Sequence, residues 1–397
     1  MPTIEITRRV NVPDPLKIER YRTAPQNGPR VLFFSGGTAL QGVSRDIIKY
    51  THNSVHLITP FDSGGSSAVL RDEFSMPAVG DIRNRLMSLA DDSVLGNPEI
   101  YAFFTHRLNT EASQQELRTE LAELAEGTHP LILAVPYPMR KLIQTSMISI
   151  RNHISDAFDL RGASLGNLVL AAGYLDNGRQ LAPVIYLFSK LAEVRGTVRP
   201  IANVTAQLAV SLANGENIIG QHRITGKETA PLTTKIDSIW LAESQQSSEP
   251  VSVSISDRTS ALINEAELIC YPMGSFYSSV IANLLPSGVG ESIARTKCPK
   301  VFIPNTGTDA EVVGHTLTEQ IETLLFHLKK DAPSTIATSD VLNLIVIDSD
   351  ATRYNGSLNH DMLSREGITV VSCDLITNQS SPYIDAAVLN RILLSLC

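Results

Sequence analysis

Short apolar runs that stop at turn-forming residues recur along this chain, separated by stretches with helical spacing, and this alternation is what a parallel sheet layered between helices requires. Val31–Phe34, Val55–Ile58, Leu131–Val135, Leu268–Cys270, Val301–Ile303, Leu344–Ile347 and Ile368–Val371 are rich in β-branched or bulky apolar residues, as strands buried on both faces are. Apolar residues return every three or four positions over Glu111–Ala125, Leu165–Leu175, Tyr277–Leu285 and Thr318–Lys329, which predicts helices there. The expected fold class is α/β, with a doubly wound, mostly parallel sheet.

One segment breaks the alternation. Gln207–Ala213, the pair Asn214-Gly215 and Ile218–Ile224 read as an antiparallel hairpin, because Asn-Gly tolerates the positive φ of a tight hairpin turn. Strands resume beyond it, so the reading is an N-terminal arm over residues 1–29 and a single domain over residues 30–397 with a hairpin insertion at about 204–255. A chain of 397 residues needs neither disulfide nor metal to hold a core. Cys270, Cys298, Cys373 and Cys397 have no metal-ligand spacing and read as reduced thiols. No apolar stretch has membrane-spanning length and the first residues lack the apolar core of a secretory signal, so a cytoplasmic protein without a membrane partner is expected. A net charge of −8 with scattered Lys and Arg argues against a nucleic-acid partner. A small phosphate-bearing ligand remains compatible with that charge if local Arg residues or a divalent cation neutralise it.

Two strand-like runs end in glycine-rich turns, Ser35-Gly36-Gly37-Thr38 and Asp62-Ser63-Gly64-Gly65-Ser66-Ser67. Glycine lets a ligand approach backbone N–H groups, and a helix starting behind the turn adds the positive end of its dipole, so anions are the natural guests. Asp62 introduces a carboxylate beside the expected phosphate. Magnesium resolves that repulsion when one or two carboxylates and phosphate oxygens share it, which makes Asp62 the candidate metal ligand; the alternative is that Asp62 caps the following helix. Gly80-Asp81-Ile82-Arg83-Asn84 adds an acid, a guanidinium and an amide, and Arg83 can meet a phosphate with a bidentate fork. A third loop, Pro272-Met273-Gly274-Ser275-Phe276-Tyr277-Ser278-Ser279, again follows a strand and opens a helix. Set at one edge of the sheet, the three loops close on one ligand in the crevice where doubly wound sheets bind.

Several local patterns carry less than their outlines suggest. Gly36-Gly37-Thr38 lacks the glycine spacing of a dinucleotide turn. Gly220 to Gly226-Lys227 is one residue too long for a phosphate-binding P-loop and has Glu228 where Ser or Thr is required, so it reads as a hairpin end. Gly162-Ala163-Ser164-Leu165-Gly166 fits a hydrolase nucleophile elbow only if a strand precedes it, and Phe158–Arg161 is a poor strand; a flexible lead-in to a helix is the better account. His222, His315, His327 and His360 show no paired spacing for zinc.

Taken in order, these residues resemble the 2-phospho-L-lactate transferase family and its relatives, the gluconeogenesis-factor proteins. The resemblance runs from about Val31 to the C-terminus. It rests on Gly36-Gly37-Thr38, Asp62 to Ser67, Gly80 to Asn84, Gly166-Asn167-Leu168, Asn214-Gly215-Glu216, Gly274 to Ser279 with Asn283-Leu284-Leu285, Asn305, Glu366-Gly367 and Asp374. It implies a Rossmann-like fold and a homodimer. The transferase branch moves a phospholactyl group from a nucleotide diphosphate donor to a deazaflavin alcohol with magnesium, whereas the gluconeogenesis-factor branch is associated with nucleotide-sugar binding and control of carbon flow. That branch typically carries two adjacent acids before the second loop, where this chain has Asp62 then Ser63, and proline where this chain has Met273.

The expected function is transfer of a phosphate-linked group from a nucleotide diphosphate donor to an acceptor hydroxyl, the alternative being a non-catalytic nucleotide-sugar regulator. Charge neutralisation falls to the amides at Gly36, Gly37, Gly64 and Gly65, to Arg83 and to magnesium on Asp62, with Asp81 as candidate base. Thr38, Ser66, Ser67, Asn84, Asn167, Gly274, Ser275, Tyr277 and Asn305 complete the expected ligand site.

Overall fold

The computed structural model describes residues 9–91, 96–226 and 230–397. Ten strands appear in chain order: β1 (Val31–Ser35), β2 (Val55–Ile58), β3 (Thr197–Pro200), β4 (Gln207–Leu212), β5 (Asn217–Ile219), β6 (Ile236–Ala242), β7 (Leu268–Tyr271), β8 (Lys300–Phe302), β9 (Leu344–Asp348) and β10 (Thr369–Cys373). Seven form one sheet in the order β10-β9-β8-β7-β1-β2-β3, every neighbouring pair parallel. The chain builds outward from β1 in one direction, then returns to β1 and builds outward in the other. This is the doubly wound α/β arrangement that the alternation predicts.

Strand periodicity divides the core in two. Val31 and Phe33 pack into one cluster and Leu32 and Phe34 into the other, because successive side chains leave opposite faces of the sheet. The first cluster is roofed by helices between β2 and β3, among them Gly80–Ser88, Pro98–Thr105, Met139–His153 and Leu165–Asp176. The second is covered in part by β4, β5 and β6, which form a separate antiparallel sheet in the order β5-β4-β6.

The insertion is therefore a three-stranded sheet rather than a bare hairpin. Its turn is the predicted one, with Gly215 at φ 86° and the Leu212 N–H donating to Glu216 O at 2.8 Å. The second arm stops at Ile219; Gly220 turns the backbone, and Gln221–Ile224 wind into a short helix instead of continuing the strand. Lys227 and Glu228 lie outside the described residues. Leu131–Val135 is a second correction: it is not a strand but lies in a helical turn, Pro130–Ala134, started by Pro130 and by the His129 side chain accepting from the Leu131 N–H. An apolar run of that length does not by itself separate strand from buried helix.

The arm is anchored at its described end. Asp14 caps the helix Pro15–Thr23, and its own backbone N–H donates to Ser395 Oγ at 2.8 Å in the last helix, Ala386–Leu396. From that last helix, buried Asn390 donates to Val43 O and to Asp46 Oδ2, both at 2.9 Å, in the helix Gln41–Ile47 that follows the first glycine turn. No helix among the described residues is long and apolar enough to cross a membrane.

Candidate functional site

Strand order reverses between β1 and β7, and a cavity of about 270 Å³ opens where the loops behind β1, β2 and β7 meet. Such a reversal leaves a crevice at the carboxyl ends of the strands. Gly36, Gly37 and Thr38 line it from the first loop, Asp62, Gly64, Gly65, Ser66 and Ser67 from the second, and Gly274 and Ser275 from the third. Asp81, Arg83, Asn84 and Asn167 complete the wall from two helices.

The first loop is held from behind by Arg85, whose side chain is fully buried. Its guanidinium donates to Gly36 O at 2.9 Å, Gly37 O at 3.0 Å and Leu40 O at 2.9 Å, and it also bonds Ser44 Oγ. A trans peptide places its N–H opposite its C=O, so fastening the Gly36 and Gly37 carbonyls turns the Gly37 and Thr38 N–H groups away from Arg85. Burial lowers the Arg85 pKa to about 10, and Asp81 acts in the opposite sense. Asp81 also bears on Gly37, where a Cβ would stand 2.1 Å from Asp81 Oδ1, and Ser279 bears on Gly36, where a Cβ would stand 2.3 Å from its Oγ.

In the second loop Asp62 Oδ1 accepts the Gly64 N–H at 3.1 Å, shaping the turn just ahead of the helix Gly65–Phe74. Buried Arg71 ties Asp62 O at 2.8 Å to Ala206 O at 2.9 Å, joining the loop to the segment that enters β4. Ser67 Oγ accepts the Gly80 N–H at 3.1 Å, and Asn167 Nδ2 donates to Ser66 Oγ at 2.8 Å. A Cβ on Gly80 would lie 3.5 Å from Asp62 Oδ2, so Asp62 and Asp81 flank the same helix start. No cluster of three or more His, Cys, Asp or Glu able to hold a metal is found among the described residues. Two carboxylates on one wall fit magnesium, which completes its shell with water and ligand phosphate, and do not fit a closed all-protein cage.

Positive charge faces these acids. Arg83 is buried and donates to Asn84 Oδ1 at 2.7 Å, while its Nε and Asn167 Oδ1 are buried without a hydrogen-bond partner. Desolvation, with Arg107 adding like-charge repulsion, lowers the Arg83 pKa to about 10 despite the opposing pull of Asp81. Arg107 lines the same cavity and donates to Gly162 O at 2.9 Å. Two guanidiniums lining one cavity make a site whose electrostatics improve when an anion enters.

The third loop winds as a π-helix over Phe276–Ile281 before an α-helical turn, Ala282–Leu284. Its backbone is held by acids: Asp309 Oδ2 accepts the Phe276 N–H and Glu311 Oε2 the Ser278 N–H, both at 2.8 Å. Burial, reinforced by Asp309, pushes the Glu311 carboxyl well above its ordinary value of 4.5. The folded chain therefore keeps a proton there that the unfolded chain releases, so this contribution to stability is full below about pH 4.5 and is lost as pH rises through the raised value. Glu311→Gln, which mimics the protonated group, is expected to flatten the fall in melting temperature between about pH 5 and about pH 9; an unchanged slope would exclude Glu311 as its source.

Tyr277 and Asn305 are corrections. Neither lines the cavity: Tyr277 is buried against the insertion, its hydroxyl 3.4 Å from Ile236 O and from His315 Nε2, and Asn305 Oδ1 accepts the Gly307 N–H at 3.2 Å. Ser275 and Ser279 each stand two residues from Tyr277, about half a turn of this winding, and they line the cavity while Tyr277 does not. Ser164 follows no strand and its hydroxyl is buried, as the helix lead-in reading requires. The cavity also recruits Arg107, Gln221, His222, Thr225 and Ser279. Ser279 stands within the quoted third-loop motif, Gln221, His222 and Thr225 lie in the Gly220 to Gly226 segment read as a hairpin end, and Arg107 carries no local motif.

A family model described as 2-phospho-L-lactate transferase CofD matches residues 31–379. A putative gluconeogenesis factor from Thermoanaerobacterium thermosulfurigenes is 28% identical over 93% of this chain and 97% of its own length. The gluconeogenesis factor of Bacillus subtilis is 28% identical over 76% of this chain and 75% of its own. A crystal structure of a UPF0052 family member from Bacillus halodurans superposes with a TM-score of 0.66 at 22% identity, covering 93% of this chain and 99% of that one, and so shares its fold. With three glycine-bearing loops, two acids and two arginines converging at the switch point of that fold, and a family match spanning nearly all of it, this chain belongs to the 2-phospho-L-lactate transferase CofD family.

Proposed function

We propose that the cavity binds the diphosphate of a nucleotide-linked donor and that the chain transfers a phosphate-linked group from it to an acceptor hydroxyl. The Arg83–Arg107 pair carries this reading, because two guanidiniums lining one cavity with three glycine-bearing loops offer an anion charge-assisted hydrogen bonds. The acceptor oxygen bonds the transferred phosphorus as the bridging P–O bond of the diphosphate breaks; Arg83 and the loop amides neutralise the charge that grows on the departing nucleoside monophosphate, and Asp81, against Gly37, accepts the acceptor's proton. Asp62 is the proposed magnesium ligand; magnesium, when bound, supplies charge neutralisation between phosphate oxygens.

A second reading is a nucleotide-sugar regulator that binds without turnover. It is favoured by Ser63, a hydroxyl beside Asp62 that is engaged with His222 rather than adding a second carboxylate, and by relatives that bear the name gluconeogenesis factor. Calorimetry with a panel of nucleotides and nucleotide sugars, with and without magnesium, followed by mass spectrometry with a bound donor and cell extract, separates the two. Binding with no product under any condition leaves only the regulator. Asp62→Asn is expected to abolish the magnesium dependence of binding, and a dependence equal to the wild type's would remove Asp62 from the metal site.

A further inference from the structure

His222 is delivered to the cavity by the helical turn behind β5, from the small antiparallel sheet, and the proposed chemistry above does not use it. Its ring is gripped along one edge. Nδ1 lies 2.8 Å from Ser63 Oγ, and the same oxygen accepts the His222 backbone N–H at 3.2 Å. Ser63 is buried behind the cavity wall and does not line the cavity itself. The backbone is shaped to the ring as well: Gly220 has φ 102°, and a Cβ there would stand 2.9 Å from His222 Cε1 and 3.2 Å from Nδ1. Any other residue at this position would both strain the backbone and strike the imidazole.

Donor and acceptor accounting then selects the tautomer. Ser63 Oγ carries one proton, and Nδ1 is the acceptor that the described residues offer it. With the backbone N–H already donating to Oγ, the hydroxyl donates to Nδ1, which leaves the ring's proton on Nε2. Among the described residues Nε2 has no hydrogen-bond partner.

We infer that His222 is a ligand-contacting residue that donates Nε2–H to an anionic phosphate oxygen in the cavity, and that Ser63 is the positioning residue that presents it. The inference rests on the diphosphate reading. An Nε2–H donor suits this cavity, because it adds a hydrogen bond to an anion that Arg83 and Arg107 also meet. It also gives the insertion a direct stake in binding, since the ligand touches a side chain anchored on β5 as well as the loops of the main sheet.

The test uses the full chain labelled with 15N at histidine, inorganic pyrophosphate as probe, and His222→Gln to assign the ring resonances. The wild type is expected to show the Nε2–H tautomer at His222, with Nε2 shifting at saturating pyrophosphate. His222→Ala is expected to weaken pyrophosphate binding about tenfold by calorimetry, and Ser63→Ala to weaken it less while mixing the two tautomers. The ring measurement is made on the wild type with His222→Gln serving only to assign it, so it holds even if His222→Ala or Ser63→Ala fails to fold. A wild type that binds pyrophosphate with an unmoved Nε2 resonance, or a folded His222→Ala that binds equally well, overturns the role of His222 and leaves the diphosphate reading standing. A wild type that binds neither pyrophosphate nor a nucleoside diphosphate overturns both.

Discussion

Arg85→Met is expected to cost about 3 kcal/mol of stability, the largest loss from any single change behind the first loop. Methionine fills much of the volume but donates nothing, so the Gly36 and Gly37 carbonyls lose their donor inside the protein, while Leu40 O keeps the Ser44 N–H. Each unsatisfied buried carbonyl costs on the order of 1–3 kcal/mol. Relief of the charge's own desolvation, visible in its lowered pKa, offsets part of the sum. Arg85→Lys is expected to recover only a fraction, because one ammonium does not span carbonyls on both sides of a planar fork. Urea unfolding of the three proteins side by side checks this, and a wild-type midpoint for Arg85→Met would mean that the first loop keeps its shape without the guanidinium.

Arg83→Ala is expected to produce the largest loss of function, weakening binding of a diphosphate ligand by about 10- to 100-fold, the range of a charge-assisted hydrogen bond. Its effect on stability should be small or even favourable. Arg83 is desolvated and repelled by Arg107, and its removal relieves both. Affinity and melting temperature are thus expected to move independently, or in opposite directions, in the same variant. A side chain serving only the fold would lower both together. Calorimetry and a melting curve on one preparation decide the matter, and undiminished affinity would take Arg83 out of the ligand site.

How much of this was legible in the sequence depended on how far each feature reaches. The glycine turns after β1 and β2 and the helix start at Gly80 are local features, set by residue types within a few positions, and they could be read directly. β3 was hidden because Thr197–Pro200 mixes Arg and Pro into a strand at the sheet edge, where full burial is not demanded. β6 was hidden because its neighbour in the small sheet is β4, a strand far from it in the sequence pattern, so it makes sense once the antiparallel sheet exists. Arg85 and His222 had no local signature. A lone Arg or His gains its role from a partner distant along the chain, and Ser63 and His222 are 159 residues apart. Tyr277 was misplaced for the opposite reason: the motif around it was real, but a motif does not say which way each of its side chains faces.

The clasp at the C-terminus bears on how a minimal version of this protein can be cut. The family match stops at residue 379, yet the helix Ala386–Leu396 lies beyond it and buries Leu389, Ile392, Leu393 and Leu394. Trimming to the matched span would strip Val43 O of its Asn390 donor, lay bare the greasy underside of Gln41–Ile47, and loosen the ground on which the first loop stands. A truncated protein that expressed poorly or lost its ligand would then report a missing foundation rather than a missing active-site residue.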